Sequence, residues 1–204
     1  MGDITARMRP DQAGLFGLAT DQAGHFTTAQ AHHYGFSDRM LSHYTHQGTL
    51  RRVHPGVYRW RDFPDTPHEH VVAAWLAVGG PDAVVTHETA LEMHELSTVI
   101  PDAIHLTIPR ARRHAPHLPG VQVHTTTRAF GATDTVRRAG IVVTSPTRAL
   151  VDAAEAGVAE DQIQVGIRQA IDRGLTTEQL LRTAAEGRSK RARTIVERAF
   201  PAAI

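Results

Sequence analysis

Five arginines, Arg39, Arg51, Arg52, Arg59 and Arg61, fall between His25 and Arg61, and the only acid in that stretch is Asp38. Guanidinium groups at this density suit a polyanion, because each carries a permanent charge and a planar fork of N–H donors that matches phosphate oxygens. Ser42, His43 and His46 recur with Arg39 at intervals of three or four, so in a helix they share one face. Such a face can donate hydrogen bonds to the edges of bases. Ser37 and His54 flank the set and complete the candidate contacts. Tyr58 and Trp60 read as core of the same region rather than as stacking platforms, since only 5% of the chain is aromatic.

The elements that must hold these residues are legible in the surrounding pattern. Leu15, Phe16, Leu18 and Ala19 place apolar groups on one side of a short helix within Pro10 to Gly24. Thr27 and Gln30 match a capping box, in which hydroxyl and amide each satisfy a free backbone N–H, and open a second helix that runs to about Tyr34. Gly35 breaks it, and Ser37 caps a third helix that continues through His46 and stops at Gly48. Met40, Leu41 and Tyr44 fall on its inward side. Leu50 to Val53 and Val57 to Trp60 then read as strands joined by His54-Pro55-Gly56-Val57, a type II turn with proline fixing φ and glycine accepting its positive value; tight hairpins favour the primed types, so a longer loop is the alternative. Three helices followed by a β-hairpin is the order of a winged helix-turn-helix. That fold sets Arg39, Ser42, His43 and His46 near bases, and Arg51, Arg52, Arg59 and Arg61 near the phosphate backbone or minor groove.

The formal charge of the 204-residue chain is +1, so attraction to nucleic acid must come from local clustering rather than a global field. The absence of cysteine removes disulfides, thiolate chemistry and the common zinc folds. No apolar run approaches the roughly 20 residues that span a bilayer, and MGDITARMRP lacks the apolar core of a secretion signal, which points to a cytoplasmic protein without a membrane partner. Composition changes at Arg61 to Pro67, a linker that divides a DNA-binding domain at residues 1–63 from a second domain at residues 64–204. In the latter, helices are expected at His68 to Val78 and Thr86 to Leu96, and strands at Ile104 to Ile108, Val121 to Thr125 and Ile141 to Thr144. Ser145-Pro146 caps a further helix, and Thr176 with Gln179 caps one of two or three more before Phe200. The fold class is α+β: an N-terminal winged helix-turn-helix domain, then a mixed α/β domain with a small antiparallel sheet and several helices.

All fourteen histidines lie between His25 and His124, but their spacing argues against a metal: His87-Glu88-Thr89-Ala90-Leu91 ends in leucine where a zinc-protease helix needs a second histidine, and His68 and His70 diverge on a helix. No metal or cofactor is expected. Ser145 sits before proline and lacks a Gly-x-Ser-x-Gly elbow, so it reads as a cap rather than a nucleophile. Arg148 and Asp152, one turn apart, form an ordinary ion pair. A nuclease needs carboxylates clustered with a lysine, whereas the single lysine, Lys190, lies in a basic run without paired acids. No catalytic residue is assigned. A plain winged-helix regulator, a DNA-binding nuclease and a module that binds only protein are the readings these residues leave open.

The run GHFTTAQAHHYGFSDRMLSHYTHQGTLRRVHPGVYRW resembles the N-terminal domain of the AbiEi antitoxin family of type IV toxin-antitoxin systems. The matching positions are Gly24, Phe26, Thr27, Gln30, Ala31, Gly35, Leu41, Gly48, Leu50, Arg52, Val53, Gly56, Val57 and Tyr58. THETALEMHEL, IHLTIPRARR and GIVVTSPTRALVDAAE are similar to the family's C-terminal domain in order and spacing. The resemblance implies a repressor of its own operon that binds promoter inverted repeats as cooperative monomers or as a homodimer. It also implies an antidote to a nucleotidyltransferase-type toxin, in a class that usually counteracts toxins without a stable protein complex, which leaves direct contact with the toxin open. It further implies that basic residues of the C-terminal domain assist DNA binding, for which the candidates are Arg110, Arg112 and Arg113, and Arg188, Lys190, Arg191 and Arg193.

Overall fold

The computed structural model describes residues 9–98, 100–112 and 115–200. The chain divides into two compact units, residues 1–80 and 81–204. None of the described helices is long and apolar enough to cross a membrane.

The first unit runs α1 (Gln12–Thr20), β1 (His25–Thr27), α2 (Thr28–His33), α3 (Asp38–His46), β2 (Leu50–His54), β3 (Val57–Trp60) and α4 (Glu69–Val78). Local signals start α1, α2 and α3. Asp11 caps α1 by accepting from the Gly14 N–H at 2.8 Å. Thr27 accepts from the Gln30 N–H at 3.1 Å while the Gln30 side chain accepts from the Thr27 N–H at 2.8 Å, so the capping box is complete. Ser37 caps α3 through the Met40 N–H. The strand β1 has no counterpart in the sequence reading; it pairs antiparallel with β3, and the sheet order is β1-β3-β2. Gly56 has φ 73°, the sign the Pro-Gly turn requires, and the β2–β3 register shifts between Arg52 and His54. That irregularity reconciles a turn of ordinary hand with the twist of a tight hairpin. Leu15, Ala19, Phe26, Ala31, Phe36, Leu41, Leu50 and Trp60 form the core, each large side chain contributing about 1.5–3 kcal/mol by leaving water.

Helix α4 belongs to this unit: it packs against all three strands of the sheet. The boundary therefore falls after Gly80, beyond the Arg61 to Pro67 segment where the composition changes. The segment is polar because it crosses the surface, not because it separates domains.

The second unit contains a five-stranded mixed sheet of order β6-β5-β4-β8-β7, built from β4 (Val84–Val85), β5 (Ile104–Pro109), β6 (Val121–Thr126), β7 (Thr135–Arg138) and β8 (Ile141–Thr144). The pairs β5–β6 and β4–β8 are parallel, β4–β5 and β7–β8 antiparallel. The α+β class stands, with the C-terminal sheet larger and more mixed than the small antiparallel one expected. Two strands escaped the sequence reading: β4 is too short to alternate, and β7 returns to β8 through Ala139-Gly140, both at positive φ as a primed turn needs. Helix α5 (His87–Met93) precedes β5, and α6 (Pro146–Ala156), α7 (Glu160–Asp172), α8 (Glu178–Ala185) and α9 (Lys190–Ala199) follow the sheet, with α6 packed against the other four. Ser145 caps α6 as expected. The cap of α8 is Thr177, not Thr176; the Thr176 hydroxyl is buried and bonds Thr147 at 2.6 Å.

Two buried histidines couple each unit to pH. His94 Nε2 lies 2.7 Å from the Thr144 carbonyl and Nδ1 3.0 Å from an Arg138 N–H, so the ring donates from Nε2 and accepts at Nδ1. Burial lowers its pKa, the Thr144 bond opposes, and Arg138 and Arg173 add to the lowering. Burial also lowers that of His25, whose Nδ1 faces the Gln22 carbonyl. Both rings take up a proton less readily when folded than when unfolded, where they do so near pH 6.5, so their stabilisation is full above about pH 6.5 and is lost as pH falls below it, by at most about 1.4 kcal/mol per pH unit for each group. The urea midpoint is expected to fall between pH 7 and pH 5, and His94→Gln to flatten that fall; an unaltered pH slope in the variant contradicts this role for His94.

Candidate nucleic-acid interface

On α3 the partition is the expected one. Leu41 is buried and Met40 and Tyr44 are half-buried against the core, while Ser37, Arg39, Ser42, His43 and His46 are exposed. Asp38, the one acid of the segment, is engaged: its carboxylate lies 2.9 Å from His32 Nε2. Gly48 adopts φ 79° between α3 and β2, where an added Cβ would lie 3.4 Å from the Arg61 Cζ. The left-handed backbone there favours glycine, and the Arg61 guanidinium lies beside it at the junction of helix and hairpin. The hairpin tip is fixed as well, because the Gly56 carbonyl accepts from the Thr28 N–H at 2.9 Å.

Strand alternation sorts the hairpin residues. Leu50 pairs with Trp60, Arg52 with Tyr58 and Tyr58 with Phe26, so these share the face turned to α1–α3. Arg51 pairs with Arg59 and Arg59 with His25, so these share the other face, on which α4 packs. Arg51, at the sheet edge, and Arg52 remain exposed, and His54 is half-buried. Arg59 is withdrawn from the interface. It is 3% exposed and bonds Glu69 at 2.9 Å, Asp65 at 3.0 Å and the carbonyls of Phe63 and Pro64. Arg39, Arg51, Arg52 and Arg61 make no ion pair among the described residues.

In the second unit the basic clusters separate in the same way. Arg112 pairs with Asp82 at 2.6 Å. Arg188 pairs with Asp152 at 2.7 Å and Glu155 at 2.8 Å, and Arg191 donates to the Ala154 and Val158 carbonyls near the end of α6. Arg110, Lys190 and Arg193 are exposed. Arg113 lies outside the described residues.

A feature the sequence reading missed lies in the second unit. His87, His105 and His124, from the start of α5, β5 and β6, converge with their ligand nitrogens within 4.8 Å of one another. They line a cavity of about 580 Å³ with Glu88, Arg148, Asp152 and Arg188. Arg148 binds Asp152 in the expected pair at 2.9 Å and also reaches Asp134 at 3.3 Å. Burial pushes the Asp152 carboxyl up, against the pull of Arg148 and Arg188. Burial, the neighbouring His124 and His105 rings and the two arginines drive His87 down to about 3, and burial with His105 lowers His124. His87 carries φ 53°, a strained value for a residue with a Cβ, costing on the order of 1–3 kcal/mol. Spacing within one helix or strand carries no sign of this convergence, because the three histidines come from three separate elements.

Residues 15–59 match the family model described as transcriptional regulator, AbiEi antitoxin. The resemblance read from the sequence is thereby shown on the segment from α1 to β3, and it supports a role as transcriptional regulator and antitoxin. Among solved structures, the crystal structure of the RV2827C protein from Mycobacterium tuberculosis is similar, with a TM-score of 0.55 at 15% identity over 96% of this chain and 79% of that one; at that identity the likeness is one of fold. No curated protein matches the chain.

Removing Arg59 leaves Glu69 without its partner beneath α4, so Arg59→Met is expected to lower stability by about 3 kcal/mol, at the lower end for a broken buried pair. Arg51→Met, on the exposed edge, is expected to change it by less than about 0.5 kcal/mol. Equal urea midpoints for the two variants would contradict the division between buried and exposed arginines.

Proposed function

We propose that the chain is a DNA-binding transcriptional regulator that represses its own operon and serves as antitoxin of a type IV system against a nucleotidyltransferase-type toxin. One observation carries the DNA half of this reading: within the segment that matches the AbiEi regulators, α3 and β2 expose Arg39, Arg51 and Arg52, Arg61 is exposed just after β3, and none of the four is bound by an acid among the described residues. Cations left free by the fold are available to phosphates, where displaced counterions supply affinity. Helix α3 enters the major groove, with Arg39, Ser42, His43 and His46 toward base edges and the Ser37 end near the backbone. Arg51, Arg52 and Arg61 take phosphates on the flank, with His54 at the hairpin tip.

In this reading the unit beyond residue 80 carries the antitoxin role, and Arg110, Lys190 and Arg193 are its auxiliary cations for DNA. Inverted repeats at the promoter engage two copies, as a homodimer or as cooperative monomers. The toxin is opposed without a stable complex, and the chain works in the cytoplasm and catalyses no reaction.

Arg39→Ala is expected to relax sequence preference, narrowing the gap between promoter and random duplexes. Arg51→Ala and Arg52→Ala are expected to weaken binding to every duplex and to reduce the slope of log K against log salt by about one each. Fluorescence anisotropy across a salt series reads both effects, and equal loss on promoter and random DNA for Arg39→Ala contradicts its base-reading role. Co-expression tests the antitoxin half: a neighbouring nucleotidyltransferase-like gene should arrest growth alone and fail to do so beside this chain.

A further inference from the structure

We propose that His87, His105 and His124 form a binding site for one divalent transition-metal ion of the zinc class, with a fourth coordination position open to the adjoining cavity. The site lies wholly in the second unit and does not depend on the DNA-binding reading. Imidazole nitrogens bind zinc at about 2.0–2.1 Å, which sets two ligands of a tetrahedral ion roughly 3.3 Å apart. His105 Nδ1 and His124 Nε2 already stand 3.0 Å apart, and no pair among the three residues' ligand atoms exceeds 4.8 Å. The remaining closure is on the order of 1 Å, within reach of side-chain torsions.

The nitrogens that would face away from the ion also have fitting neighbours. His87 Nδ1 is 2.8 Å from the Thr86 hydroxyl, which is 3.0 Å from that of Thr107. A proton on His87 Nδ1 satisfies this chain and leaves Nε2 as the ligand. His105 Nε2 lies 3.6 Å from Glu88 Oε2, and both atoms are buried without a hydrogen-bond partner among the described residues. Orphaned polar atoms at such a place need an explanation. Coordination through His105 Nδ1 supplies one: it leaves the proton on Nε2, directed at the Glu88 carboxylate, the outer arrangement that orients most metal-bound histidines. Two mutually facing nitrogens at 3.0 Å can share only one proton, whereas an ion between them satisfies both lone pairs.

Charge agrees. The cavity wall carries Arg148 and Arg188, which pair with Asp152 and Glu155, and two further carboxylates, Glu88 and Asp102, whose charge favours a dication. Three neutral nitrogens and an open fourth place are the ligand count of sites that keep a water or a small anion on the ion, rather than of closed structural sites.

The test uses the untagged full chain stripped of metal and titrated with zinc chloride by calorimetry. One zinc per chain is expected with a dissociation constant below about 10 μM. His105→Ala and His124→Ala should each weaken it by about 100-fold or more, and Glu88→Gln by about 10-fold. Long-range 1H–15N spectra of the unmutated protein provide a measurement that no folding defect can obscure, and they should move the ring signals of His87, His105 and His124 together. Failure to bind zinc in this range overturns the proposal. So does binding that moves other histidine rings or survives both alanine variants, which would mean an adventitious ion only.

Discussion

The two-residue period of the small sheet governs the N-terminal unit. Phe26, Tyr58, Leu50 and Trp60 lie on one face because they are cross-strand partners or alternate along a strand, and that face closes the core beneath α1, α2 and α3. His25, Arg59 and Arg51 lie on the opposite face for the same reason. Once α4 packs there, a guanidinium at Arg59 must be neutralised in place, and Glu69, the first residue of α4, supplies the carboxylate. A slip of one residue in register would exchange the two faces, turning Trp60 away from the core and Arg59 into it. The burial of Arg59 follows from this sorting and from the central place of β3, whereas Arg51 and Arg52, on opposite faces, stay exposed on the edge strand β2.

How far the sequence announces this depends on the range of the interaction. The capping box at Thr27 and Gln30, the Ser37 and Ser145 caps and the Pro55-Gly56 turn rest on groups within four residues of one another, and each is formed as read. The fate of Arg59 was not legible because its partner stands ten residues on, in a helix assigned to the other domain by composition. Arg188 is a further case, its two carboxylates lying in a helix more than thirty residues earlier. A run of basic residues records charge but not occupancy.

The histidine cluster is the extreme of that limit. His87 is set by the unusual backbone at the start of α5, His105 by β5 and His124 by β6, and the parallel pairing that opposes Thr107 to His124 brings the last two together across a long connection. None of the three has a histidine at a ligand spacing in its own helix or strand. What was visible was only the confinement of every histidine to His25 through His124. Parallel strands joined by long crossovers routinely assemble such sites from distant residues, so local motif matching is blind to them.

The central claim is that the exposed cations of α3 and the hairpin meet double-stranded DNA. Titrating the isotopically labelled chain with a duplex of its own promoter, and following backbone amides and arginine side chains by NMR, tests it most directly. The account expects the largest shifts from Ser37 to His46 and from Arg51 to Arg61, with the Arg59 side chain unmoved. Shifts confined to residues beyond Gly80, or none at low ionic strength, would contradict it.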